Sequence, residues 1–199
     1  MKITKRMRDI KYAVIPSIIL GIMPLGPASA QEWRIIYTST DFSNCTILAE
    51  EPGQSSKLAC PGYKGYPVLI RDGDLRMFVS YGFGAHEEMA AHQTMSTFNT
   101  IDEQIEWLIA ERPGLGEQPA ATILRFHLDR SAGFIPDTQV LVVTKIEPGN
   151  TCHVAYVDAL ANSDASTLAR QAAADLVPGW DCASMKTQWV GNPDPHTSK

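Results

Sequence analysis

The sequence lacks the short motifs that mark common catalytic and cofactor sites. It contains no Gly-x-Ser-x-Gly elbow, no Ser-x-x-Lys pair and no Cys-x-x-Cys pair. His86 and His92 are six residues apart, whereas two zinc-binding histidines on one helical face are four apart. Gly82-Phe83-Gly84 lacks the third glycine of a dinucleotide-binding loop. The sequence therefore predicts no catalytic residue, no metal and no cofactor, and it favours a non-enzyme without settling the matter.

A long apolar run is missing as well. The run from Tyr12 to Leu25 has about 14 residues, fewer than the roughly 20 that cross a bilayer. Basic residues precede it, and the small-x-small sequence Ala28-Ser29-Ala30 follows it. This arrangement predicts a cleaved secretory signal peptide over residues 1–30, with a permanent membrane anchor as the alternative. We therefore expect a periplasmic or secreted protein with no stable membrane insertion after cleavage.

Positive charge is scarce after residue 30. Five of the 17 Lys and Arg residues, but one of the 22 Asp and Glu residues, lie in the predicted signal peptide. The remainder has 12 basic and 21 acidic residues, a net charge of about −9. So acidic a domain disfavours binding to nucleic acid or to anionic lipid. The partners that it favours are a basic protein or a small ligand.

All four cysteines, Cys45, Cys60, Cys152 and Cys182, follow the predicted signal peptide. An even number of cysteines in an oxidising compartment indicates two disulfides. Three pairings are possible, and closeness in sequence favours Cys45–Cys60 and Cys152–Cys182. Each bond would close a loop of about 15 to 30 residues, which stabilises a fold by about 3–4 kcal/mol.

Most of the chain has strand patterns. Residues 68–71 and 75–79 flank Asp72-Gly73, which predicts a hairpin with its turn at that dipeptide. Residues 121–128 and 139–146 predict two more strands, the second one central because it is apolar on both faces. Residues 85–95 are predicted as a helix. Residues 105–109 fit either element, and we favour a strand.

The C-terminal part combines a strand over residues 152–158 with a helix that begins at Ser163 as its N-cap. Apolar residues recur along that helix with helical spacing: Ala165, Leu168, Ala169, Ala172, Ala173 and Leu176. The strand and the helix have similar lengths, so the chain returns Cys182 to the neighbourhood of Cys152.

The expected fold class is α+β: a mainly antiparallel sheet with a C-terminal helix packed on one face and two disulfides. A barrel-like β core with a single helix is the alternative. We expect one domain over residues 31–191 and a flexible tail over residues 192–199.

The candidate binding residues are Arg76, Arg125 and His127. Arg125, His127 and Asp129 alternate along one predicted strand and share a face, to which the hairpin could add Arg76. The same residues would also suit the solvated face of an antiparallel sheet. Two further acids, Asp72 and Asp74, are expected to pair with the arginines beside them in the turn.

Three segments of the sequence, residues 67–82, 121–125 and 152–159, resemble a family of exported, disulfide-containing alphaproteobacterial proteins with no assigned function. The resemblance implies a location in the cell envelope and no activity. Our first hypothesis is an envelope binding or accessory protein that binds or inhibits a basic protein, such as a lysozyme-type hydrolase. The alternative is a periplasmic hydrolase with a site assembled from distant residues such as His127, Asp129 or His153.

Overall fold

The computed structural model describes residues 33–130 and 136–196. The predicted signal peptide, residues 1–30, lies outside the described residues. Within the described ranges, no helix has the length and apolar character that crossing a membrane requires.

Asn192, in the predicted tail, exchanges two hydrogen bonds of 2.9 Å with the side chain of Asn162. This part of the tail is therefore attached to the loop that precedes the helix.

The described residues form two sheets and one α-helix. In chain order the elements are β1 (Arg34–Ser39), β2 (Thr46–Glu51), β3 (Ser55–Pro61), β4 (Pro67–Gly73), β5 (Arg76–Tyr81), β6 (Phe98–Arg112), β7 (Gly116–Asp129), β8 (Thr138–Lys145), β9 (Cys152–Asp158), α1 (Ala165–Leu176) and β10 (Gln188–Trp189). The larger sheet has the strand order β1-β6-β7-β8-β9-β10, and the smaller one has the order β2-β3-β4-β5. All pairings are antiparallel except that of β9 with β10.

The larger sheet has a core on each face. On one face it packs against the smaller sheet through residues such as Val68, Val79 and Phe126. On the other face it packs against α1, whose Ala169 and Ala173 are fully buried. The predicted fold class, a mainly antiparallel sheet with a C-terminal helix on one face, is confirmed. The small alanine side chains allow the helix and the sheet to approach closely.

Both predicted disulfides are present. Cys45–Cys60 joins the residue before β2 to β3, and Cys152–Cys182 joins the start of β9 to the segment after α1. The second bond fastens the return of the chain from the helix to the strand beneath it, as the matched lengths of strand and helix predict.

The hairpin turn lies two residues later than predicted. Gly73 pairs with Arg76 across the strands, so Asp74 and Leu75 form the two-residue turn, with φ of 54° and 56°. A type I′ turn needs positive φ at both central positions, which usually favours Asn and Gly. Here the alternation of buried Val68 and Ile70 fixes the strand register and overrides the local preference of Asp72-Gly73.

The predicted helix over residues 85–95 is wrong, since the segment consists of turns and one 3-10 helix, Met89–His92. Its polar side chains bind distant backbone instead. The Glu88 carboxylate accepts N–H bonds from Gly149 and Thr151 at 2.6 and 3.0 Å, and Gln93 Oε1 accepts one from His153 at 2.7 Å. A smaller correction concerns α1, whose N-cap residue is Asp164 rather than Ser163.

Candidate functional site

A cavity of about 630 Å³ lies where the β4–β5 turn meets the ends of β6, β7 and β8. Its volume is in the range of sites that bind small ligands. Thirteen residues line it: Asp72, Leu75, Met77, Phe98, Asn99, Thr100, His127, Leu128, Asp129, Asp137, Thr138, Gln139 and Leu160. They come from both sheets and from the loop after β9, so the fold rather than any local motif creates this cavity.

The lining is acidic and partly apolar. Asp72, Asp129 and Asp137 contribute carboxylates, and the described lining residues include neither lysine nor arginine. Leu75 and Leu160 also line the cavity and are 68% and 62% exposed. Large apolar side chains that remain accessible beside a cavity are typical of a contact surface. The cavity thus offers negative charge and apolar contact area together.

Leu75 is held in place by the turn and by Asn99. The backbone N–H of buried Asn99 donates to Leu75 O at 3.0 Å, and Asn99 Oδ1 accepts the Met77 N–H at 3.0 Å. A leucine with positive φ is unfavourable, because its side chain crowds the backbone in that conformation. Unfavourable backbone conformations that the surrounding fold maintains are concentrated at functional sites. The tip of this hairpin is therefore a fixed part of the cavity wall.

Of the three predicted binding residues, His127 lines the cavity and the two arginines do not. Arg76 forms an ion pair with Asp74. The Arg125 guanidinium donates to Gln139 Oε1 at 2.7 Å and lies 3.8 Å from Asp102 Oδ2. Arg76 and Arg125 also belong to different sheets, so they do not share one strand face. A binding role for these three residues stays a prediction.

Three lining residues, Leu75, Phe98 and Leu160, are not predicted from the sequence as site residues. The three come from separate parts of the chain, and an isolated surface leucine or phenylalanine is no signal in itself. Asp72 was expected to pair with a neighbouring arginine. Instead it lines the cavity, while the adjacent Arg71 lies over the Phe78 ring.

The histidines do not form a catalytic arrangement with carboxylates in the described part of the chain. His153 is buried, its Nδ1 lies 2.9 Å from the Tyr156 hydroxyl oxygen, and burial lowers its pKa from 6.5 to about 3. His127 makes no hydrogen bond to a carboxylate there. Among the described histidines, His86 is the one whose ring approaches a carboxylate: its Nε2 lies 3.7 Å from Glu87 Oε1 on an exposed turn. The described residues also contain no cluster of three or more His, Cys, Asp or Glu suited to a metal ion.

Comparison of the chain with protein-family models, with curated proteins and with solved structures finds no match. The resemblance to an exported alphaproteobacterial family therefore stays a prediction.

Proposed function

We propose that this chain is an exported binding protein of the cell envelope that captures a basic protein at the acidic cavity. The observation that carries this proposal is the composition of the cavity wall, which combines three carboxylates with accessible Leu75, Phe98 and Leu160. A lysine or arginine side chain has an apolar stem and a charged end, so it suits a wall of this mixed character.

The proposed location is supported by the cysteines. All four are paired in the described structure, and such bonds persist in oxidising compartments such as the periplasm or the cell exterior. The predicted signal peptide supports the same location. An excess of about nine negative charges after residue 30 would also accelerate encounter with a positively charged partner.

The alternative hypothesis, a periplasmic hydrolase, has less support. A general base must reach the proton that it removes, and it needs a pKa near the working pH. His153 is enclosed in the core with a pKa of about 3. His127 has no carboxylate bonded to it among the described residues to orient its ring.

The proposal can be tested by affinity capture with matched variants. The secreted full-length product is immobilised and exposed to native envelope and culture extracts of the producing cells, then eluted with increasing salt. We expect a basic protein that binds wild type, elutes with salt, and is lost when Asp72→Asn is combined with Leu160→Ser. Screening by salt weakens attraction between accessible charges, which explains the expected elution.

The control combines Glu111→Gln with Leu115→Ser, which makes the same chemical changes at exposed residues outside the cavity. This variant should retain the captured protein. The proposal fails if the wild-type column captures no basic protein, or if the cavity variant captures the same proteins as wild type.

A further inference from the structure

A second cavity, of about 150 Å³, lies on the outer face of the smaller sheet and has the opposite charge. The polar groups that line it are Lys57, Arg71, His86 and His92, and no described lining residue carries a carboxylate. The volume is several times the roughly 30 Å³ that one water molecule occupies in the liquid. In a chain with an excess of acidic residues, this grouping of basic side chains is unexpected.

Two of the cations face each other directly. Lys57 on β3 is the cross-strand partner of Arg71 on β4. Like charges in this arrangement repel and destabilise the sheet. Neither side chain forms an ion pair with another residue in the described ranges. Of the four basic lining residues, His86 has a carboxylate within 4 Å in the described ranges, since its Nε2 lies 3.7 Å from Glu87 Oε1. No ion pair in the described ranges therefore offsets the repulsion between Lys57 and Arg71.

Arg71 is fixed by contacts that leave most of its hydrogen-bond donors unused. Its guanidinium carbon lies 3.8 Å from the centre of the Phe78 ring, and Nη2 donates to Ala91 O at 3.3 Å. A guanidinium group has five N–H donors in a planar arrangement that matches the oxygens of phosphate. No other described residue accepts a hydrogen bond from it. The group is thus held in position with donors available.

We propose that this basic cavity, formed by Lys57, Arg71, His86 and His92, binds a tetrahedral oxyanion, either phosphate or sulfate. The anion would lie between the facing cations and remove their repulsion. The two histidine rings would supply further N–H donors. The site is separate from the acidic cavity and shares no lining residue with it, so it does not depend on the proposed function.

The test is an NMR titration of the isotope-labelled, disulfide-intact secreted product with inorganic phosphate, inorganic sulfate and glycerol phosphate. Ionic strength is held constant with chloride. We expect saturable shifts at the side chains of Arg71, His86 and His92. Binding of glycerol phosphate in addition would indicate that the natural source is a phosphate ester rather than the free ion.

Lys57→Gln should raise the dissociation constant at least about tenfold, because it removes a charge-assisted hydrogen bond. It should also raise the Tm of the anion-free protein, since the facing cation is gone. Arg71→Lys retains the charge but loses the planar donor group, and it should weaken binding as well. Lys186→Gln makes the same change in charge at an exposed lysine outside the cavity and should alter neither property.

Shifts that do not saturate, or shifts distributed over the whole surface, would overturn the proposal. An equal loss of binding in Lys57→Gln and Lys186→Gln would do so too, because it would indicate attraction to net charge alone.

Discussion

Arg170 on α1 and Glu106 on β6 form a two-point ion pair, in which Nε and Nη2 donate to Oε1 and Oε2 at 2.6 and 2.8 Å. The Glu106 side chain is 11% exposed, and its carboxylate raises the pKa of the guanidinium. The Tyr37 hydroxyl donates a hydrogen bond to the Glu106 carboxylate and accepts one from the Arg170 guanidinium. The pair connects the helix to the sheet beside the alanine contact, and its two parallel hydrogen bonds fix the orientation of both side chains.

Arg170→Gln should therefore lower the free energy of unfolding by about 1–2 kcal/mol, because it leaves a largely buried carboxylate without its cation. Urea unfolding measures this loss. Arg34→Gln is the matched control, since its ion pair with Glu117 is much more exposed and should contribute less. If the two variants lose equal stability, the Glu106 pair has no special role.

The disulfides should contribute by restricting the unfolded chain. Removing Cys152–Cys182 with paired alanine substitutions should lower the free energy of unfolding by about 3–4 kcal/mol, and removing Cys45–Cys60 by about 3 kcal/mol. The Cys152–Cys182 bond should contribute more because its cysteines are 30 residues apart in sequence, against 15 for Cys45–Cys60. Denaturing alkylation of wild type without reductant should find no free thiol, and labelling of all four cysteines would contradict the pairing.

The alanine face of α1 should not tolerate charge. Ala169 is fully buried against β8 and β9, so Ala169→Asp would place a carboxylate in an apolar interface at a cost of several kcal/mol. We expect loss of the folded state by circular dichroism and proteolysis, since whole domains are stable by only about 5–15 kcal/mol. Ser166→Asp, an exposed position in the first turn, should fold normally. A soluble and helical Ala169→Asp protein would show that the interface is not closed.

The parts of the fold that could be predicted from sequence are those that depend on nearby residues. The helical spacing of Ala165, Ala169 and Ala173 identifies the buried face of α1, and the short sequence separations identify the disulfides. The Glu106–Arg170 pair joins residues 64 positions apart. The sequence indicates this pair only through Glu106, the single acidic residue in the apolar run of residues 105–110.

The candidate site was harder to predict because it is spatial. Leu75, Phe98 and Leu160 approach one cavity only after both sheets have packed, and the sequence pattern of each is that of an ordinary surface residue. His86 and His92 were also hard to place from the sequence. In an α-helix their six-residue spacing would direct the two side chains to different faces. The segment is not an α-helix, and both residues line the small basic cavity.

Buried His153 should make stability depend on pH. Its pKa is about 3 in the folded protein and about 6.5 when the chain unfolds. Between these values the unfolded state binds more protons, so stability is complete above about pH 6.5 and falls as the pH decreases toward 3. The slope approaches about 1.4 kcal/mol per pH unit. Urea unfolding at pH 7, 6 and 5 measures it in the upper part of this window.

Measurements between pH 5 and 7 distinguish the protonation of His153 from that of the carboxylates. Lys145 holds the pKa of Glu147 below its ordinary value of 4.5, so acid weakens this pair only at lower pH. His153→Gln keeps a polar partner for the Tyr156 hydroxyl but does not titrate, and it should flatten the profile between pH 5 and 7. His127→Gln is the matched control, because it makes the same substitution at a partly exposed histidine outside the core, and the pH dependence due to His153 should persist in it. A wild-type profile that is already flat in this range would mean that His153 is protonated without unfolding, and that its enclosure between Phe126 and Tyr156 is looser than the structure indicates.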